Sequence, residues 1–275
     1  MTFYKILHHD IQCGLLRRRY FLIPLVALIP LIEFLWLTKI YDVTGTTMDM
    51  LLYIFKGAAP VSVIPGASEK VELPVLWLFL VGACLLINMD YILNDLAANG
   101  QQIIIRCKKR LKWYLSKCIW NILSSLLYFA LLLASIAVVG SLSGNKVSFS
   151  ITPDTLAVLF DISGLETVSS CQAILVGIVM PCATIMALNL LEMTLCLFVK
   201  PILSFLVCIG TLVLAIYIDN SFLLGNGAMT IRNIVISPEA STIEMVLLST
   251  IFTIIGCAIL GSLRFSRMDI LPRED

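Results

Sequence analysis

Six nearly unbroken apolar stretches divide the chain, at residues 21–37, 73–92, 118–140, 171–197, 201–218 and 245–263. Polar and charged residues avoid these stretches and collect between them, the arrangement of spans and loops rather than of one soluble core. At about 1.5 Å of rise per residue, each stretch crosses a hydrocarbon core of about 30 Å or nearly so. The first follows Arg17, Arg18 and Arg19 and contains Pro24, Pro30 and Glu33. It is too long for a signal-peptide core and no small-x-small cleavage pattern follows it, so it reads as a retained helix kinked by its prolines. Pro181 interrupts the fourth stretch, and only Phe198, Val199 and Lys200 separate the fourth from the fifth. The pattern predicts an all-α, polytopic integral membrane protein: six transmembrane helices in a single transmembrane domain over 1–275.

The connecting segments carry patterns of their own. In residues 1–19, Phe3, Leu7, Ile11 and Leu15 recur every four positions, one face of a helix lying on the membrane surface. Met48 to Lys56 and Leu156 to Phe160 are apolar but short, and read as interfacial. Residues 219–243 hold Phe222, Leu223, Leu224 and the run Ile231 to Ile236. That segment is too apolar for a free loop and too short to cross twice, which predicts an outer re-entrant segment. Residues 93–117 pass from Gly100 through the amphipathic stretch Gln101 to Ile105 into Arg106, Lys108, Lys109, Arg110 and Lys112. Positive charge alone is explained by topology and anionic lipid. A short helix offered to a cytosolic partner explains both the charge and the amphipathic stretch before it.

Charge changes the picture through its distribution. Fifty-nine per cent of residues are hydrophobic and 13 per cent charged, which excludes a soluble domain of this length. With the N-terminus inside, 14 of the 19 Lys and Arg fall in inner segments, while the outer segments are acid-rich. Both termini are therefore expected in the cytoplasm. Trp36 and Trp77 then fall at outer interfaces, and Trp113 and Trp120 at the inner one, as indole rings prefer. The location that follows is a cell (plasma) membrane, crossed several times.

Candidate chemistry is sparse. The nine cysteines fall mostly in apolar runs as small hydrophobes, and no C-x-x-C or His/Cys spacing points to a metal. No N-x-S/T sequon occurs, which leans away from a glycosylated eukaryotic surface protein. There is no H-E-x-x-H, and the two histidines are the adjacent pair His8 and His9. No G-x-S-x-G elbow and no P-loop occur. A catalytic set is therefore not expected, nor a bound cofactor, nor a nucleic-acid partner. Among carboxylates in spans, Asp90 and Glu192 lie near inner ends, where they reach headgroup water. Glu33 lies deeper and is the candidate intramembrane polar site.

The stretch from Asn99-Gly100-Gln101-Gln102 through Arg106 and Arg110 to Trp113-Tyr114-Leu115-Ser116-Lys117, leading into the third span, resembles the ABC-2 family, the membrane subunits of type-2 ABC exporters. The N-terminal surface helix, the six-span order, the outer segment before the last span and the tail from Arg264 to Leu271 share the resemblance. It implies a permease that pairs with a second permease subunit, identical or related, and with separate ABC ATPase subunits that carry ATP and Mg²⁺. It implies that 93–117 is the coupling loop seated in the ATPase, through Gln101, Gln102, Arg106, Lys108, Lys109 and Arg110. Small permeases of this kind often serve bacterial export of peptides, bacteriocins or drugs, and some confer self-immunity. The alternative is a non-transporting immunity, sensor or scaffold protein; a membrane enzyme ranks behind both.

Overall fold

The computed structural model describes residues 3–15, 20, 22–59, 73–107, 109–160, 168–237 and 242–268. The described chain is helical, because a backbone without water must satisfy its own N–H and C=O groups. The helices are α1 (Phe3–Asp10), α2 (Leu22–Ile40), α3 (Thr47–Ile54), α4 (Val75–Asn88), α5 (Tyr91–Asp95), α6 (Gln101–Cys107), α7 (Arg110–Leu142), α8 (Pro153–Phe160), α9 (Ser170–Ile174), α10 (Met180–Leu195), α11 (Pro201–Tyr217), α12 (Leu224–Gly227) and α13 (Ile243–Arg267). Five helical runs are long and apolar enough to cross a membrane: Leu22–Ile40, Val75–Ala98, Arg110–Leu142, Ser170–Leu195 and Ile243–Arg267. The sixth apolar run, α11, has 17 residues, about 25 Å at helical rise.

The largest departure from the sequence pattern is the start of α7. Residues 110–117, expected in a loop, form the first two turns of this 33-residue helix. Their charges gave them a loop's appearance, yet Trp113, Tyr114, Ser116 and Lys117 are all buried. The prolines act locally. Pro24 is the third residue of α2, where a helix has no use for the missing N–H. Pro30 is internal. Before Pro181 the helix relaxes into a π turn, Leu175–Val179, which absorbs the lost backbone bond. Met48 and Leu52 of α3 pack into that turn at Gly177, where a Cβ would overlap the Met48 methyl.

The two short apolar segments are largely buried against the rest of the protein. A capping box starts α3: Thr46 Oγ1 accepts from Asp49 N–H at 3.2 Å and Thr46 N–H donates to Asp49 Oδ2 at 2.8 Å. Burial pushes the Asp49 carboxyl up, against these bonds and the one from Thr152 N–H. The α12 segment lies against the chain leaving α3: Thr230 N–H donates to Phe55 O at 2.8 Å and Ile231 N–H to Lys56 O at 3.2 Å. Leu224 through Asn233 are buried.

Three of the four tryptophans are buried. Trp77, Trp113 and Trp120 are enclosed by protein, with the Trp77 indole donating to Ala228 O at 3.0 Å, and only Trp36 is exposed. Inside the bundle, polar side chains join the spans. Tyr20 Oη and Ser124 Oγ both donate to Asn88 Oδ1, and Asn189 Nδ2 donates to Ser125 Oγ at 2.8 Å. Glu192, expected to reach headgroup water, is 1% exposed, and its Oε1 has no hydrogen-bond partner among the described residues.

Candidate functional site

The buried apolar residues fall into two clusters. The smaller gathers Ile6 of α1, Ile92 and Leu96, Ile103 and Ile104 of α6, Trp113 and Tyr114 at the start of α7, the end of α10, and Phe265 of α13. It therefore joins the N-terminal helix, the segment before α7 and the tail of the last helix in one end of the molecule.

An ionic knot adjoins it through Trp113. Lys117 Nζ donates to Asp10 Oδ1 in a short bond and contacts Asp95 Oδ2 at 2.6 Å. Ser116 Oγ donates to Asp10 Oδ2 at 2.6 Å. Tyr91 Oη donates to Asp10 Oδ1 at 3.3 Å. The ammonium also sits over the rings of Trp113, at 4.8 Å, and Tyr91, at 4.9 Å. Asp10 and Lys117 have no solvent contact. Three elements thus share one cation: α1 through Asp10, α5 through Asp95 and α7 through Lys117. Asp10 is paired and hydrogen-bonded, as a buried charge must be, whereas the Asp95 Oδ2 contact is an ion pair without hydrogen-bond geometry.

The local sequence explains the approach. The buried line of α1 and its π turn is Ile6, Asp10, Gly14, one helical turn apart each time. A side chain at Gly14 would collide with the Trp120 indole and with Tyr91, two rings stacked 3.7 Å apart. Gly100 likewise lets the chain pass Asp95 O and Trp113. His9, Asp10 and Asp95 bring potential ligand atoms within 4.8 Å of one another. The Lys117 ammonium already contacts both carboxylates there, so the donor set is spent on an internal cation and does not fit a metal ion.

The residues expected to couple to a partner separate into two groups. In α6, Ile103 and Ile104 face the core, while Gln102, Ile105 and Arg106 face out and Gln101 is half-buried. Ile105 is 77% exposed. Lys109 is exposed. Arg110 is half-buried and turned toward α13: its guanidinium donates to Ser266 O at 3.2 Å and Met268 O at 2.6 Å, capping that helix. Lys108 lies outside the described residues. Behind Arg110, Trp113 stacks on Phe265 at 4.7 Å, and Tyr114 Oη donates to Cys257 O at 3.1 Å and meets Thr194 Oγ1 at 3.1 Å. Glu33 is not part of this site. It is exposed on α2 and accepts a 2.8 Å bond from Tyr53 Oη of α3.

Residues 51–271 match a family described as a protein of unknown function, DUF2705. The chain belongs to the DUF2705 family. No curated protein and no solved structure matches it. The DUF2705 match includes Asp95 and Lys117 and begins after Asp10.

Sequence reasoning missed Asp10, Asp95, Ser116 and Lys117. The apolar spacing of residues 1–19 gives Asp10 no role, and the charge of 93–117 reads Lys117 as part of a basic loop. Their partnership spans 107 residues of chain and has no local signature. One signal was available: at helical spacing Trp113, Ser116, Lys117 and Trp120 share a face, and a lysine between two tryptophans is a poor solvent-facing residue.

Proposed function

We propose that the chain is the permease subunit of an ATP-driven exporter of the ABC-2 type, moving a peptide, drug or lipid-like substrate outward across a bacterial plasma membrane. In this reading its termini and α6 face the cytoplasm, α11 is the sixth span, and ATP and Mg²⁺ belong to separate ATPase subunits. The chain itself makes and breaks no covalent bond.

The observation that supports this most is the pairing of an exposed α6 face with a rigid mount. Gln102, Ile105 and Arg106 project from a helix whose other side is fixed to the ionic knot's apolar surround. A push on that face cannot be absorbed locally, because α1, α5 and α7 are joined through Lys117. It passes into α7, whose 33 residues run about 50 Å. Through Arg110, Trp113 and Tyr114 it also passes into α13 and α10. Nucleotide-driven closure of the ATPases would then shift the population of bundle arrangements toward an outward-open one.

Co-purification tests the reading. The detergent-solubilised chain should retain ATPase subunits, and cargo should stimulate ATP hydrolysis in the reconstituted complex. Gln102→Ala with Ile105→Ala should release the ATPase without lowering the melting temperature. If no ATPase is retained and no cargo stimulates hydrolysis, the non-transporting immunity, sensor or scaffold reading replaces this one.

A further inference from the structure

One buried ionisable group takes no part in the knot or in the proposed path of force. Glu192 lies close to the end of the helical run Ser170–Leu195, where a lipid-facing carboxylate extends to headgroup water. It turns inward instead. Glu192 is buried, its Oε1 meets no donor, and no Lys, Arg or His among the described residues forms an ion pair with it. The helices packed against α10 are α4, α7, α11, α12 and α13. Their titratable groups on this side are Cys84 of α4, Tyr114 and Cys118 of α7, Cys208 of α11 and Cys257 of α13, and α12 has none. Cys84, Cys208 and the neighbouring Cys196 lie close enough to act on Glu192 electrostatically, and Asp90 acts on Cys196. None of these groups is a cation. A carboxylate enclosed without a cation or a donor is not maintained as a charge.

Two more oxygens beside it are short of donors. Asn189 stands one turn before Glu192 on α10, the spacing at which helix side chains meet. Asn121 of α7 donates to Asn189 O at 3.2 Å. Both residues are buried, and both amide oxygens lack a partner among the described residues. The Asn189 amide group is spent elsewhere, donating to Ser125 Oγ at 2.8 Å and to Cys84 Sγ at 3.2 Å. Three acceptors therefore go without a donor. A hard metal cation takes about six to eight oxygen ligands, and the remaining groups here are thiols. For a softer metal, the one His, Cys, Asp and Glu grouping with metal-ligand spacing among the described residues is His9, Asp10 and Asp95. A proton needs only one acceptor, and on Glu192 it both removes the charge and creates the missing O–H donor.

We propose that Glu192 is a proton-binding site inside the helical bundle. The enclosed arrangement carries one proton on its carboxyl, and a rearrangement that parts α10 from α4 and α11 wets the group and releases that proton. Proton release and opening are then linked, each favouring the other. The inference goes beyond the permease reading and needs neither an ATPase nor a cargo, so the two fail separately.

Labelling with N,N′-dicyclohexylcarbodiimide tests it, because this apolar reagent takes carboxyls that hold a proton in apolar surroundings. The acid gives its proton to a carbodiimide nitrogen while its oxygen bonds to the central carbon. The full chain in native membranes is treated from acidic to alkaline pH and mapped by mass spectrometry. The proposal expects an adduct at Glu192 several-fold above Asp10 and Asp95, whose charges Lys117 holds. Its yield should fall several-fold as pH rises and should not respond to exchanging sodium for potassium or for an organic cation. In a second measurement, amide exchange over residues 189–196, corrected for its intrinsic rate, should quicken several-fold at alkaline pH in the unsubstituted chain and not in Glu192→Gln, a neutral isostere. No adduct at Glu192, an adduct indifferent to pH, protection by sodium or potassium, or pH-dependent exchange that persists in Glu192→Gln would each overturn the proposal.

Discussion

Lys117 and Arg232 are both cations enclosed by protein, and they are satisfied in opposite ways. Lys117 is held by carboxylates of two other elements and by two aromatic rings. Arg232 meets carbonyl and amide oxygens. It donates to Ala58 O at 2.8 Å, Ala59 O at 3.2 Å, Ile216 O at 2.7 Å, Asn226 Oδ1 at 2.6 Å, and to Ala215 O in a short bond. Two of these acceptors belong to the last turn of α11, where helix carbonyls are unpaired and carry partial negative charge. Burial pulls the Arg232 guanidinium down from its usual range, and Asp219 partly offsets this. The Lys117 site is therefore joined by charge, the Arg232 site by hydrogen bonds to backbone and amide oxygens. A joint made of opposite charges links elements that have no backbone bonds to one another, and it is the one beside α6.

The comparison breaks most visibly at Lys117. Lys117→Met strands two buried carboxylates, and removing one member of a buried pair costs about 3–5 kcal/mol; the melting temperature in detergent should fall sharply. Asp10→Asn and Asp95→Asn added to Lys117→Met should recover much of that loss, since a neutral cluster leaves no unpaired charge. If the triple variant is no better than Lys117→Met, packing rather than charge holds the knot. Arg232→Met orphans several acceptors at about 1–3 kcal/mol each, so it should also lower the melting temperature, and no partner substitution should rescue it.

Much of the architecture was legible in the chain. The spans, the short turn before α11 and the buried segment before α13 follow from apolar length and from backbone that cannot stay unpaired in lipid. The knot was hidden for a physical reason. Pattern reading assigns charged residues to water, and Asp10 and Lys117 violate that rule only because each supplies what the other lacks. The same habit placed 110–117 in a loop and sent Glu192 toward the headgroups. Nor does apolar patterning show that Trp113 and Trp120 pack against Lys117 and Tyr91.

Smaller effects sharpen the contrast. Gly14→Ala pushes a methyl into Trp120 and Tyr91, and overpacking of this kind costs about 1–3 kcal/mol. Its signature should be local: faster amide exchange or proteolysis of α1, with the Arg232 site unchanged. Gln102→Ala and Ile105→Ala should alter stability by less than about 0.5 kcal/mol, the usual limit for surface positions. A large loss of stability from either would place those side chains inside the packed end rather than on its outer face.

The most direct test is photo-cross-linking from position 105. A photoreactive residue replacing Ile105 in the full chain, illuminated in intact membranes, should attach to a nucleotide-binding ATPase subunit, and nucleotide should change the yield. Adducts with lipid alone, or labelling of that position from the outside of the cell, would contradict the account.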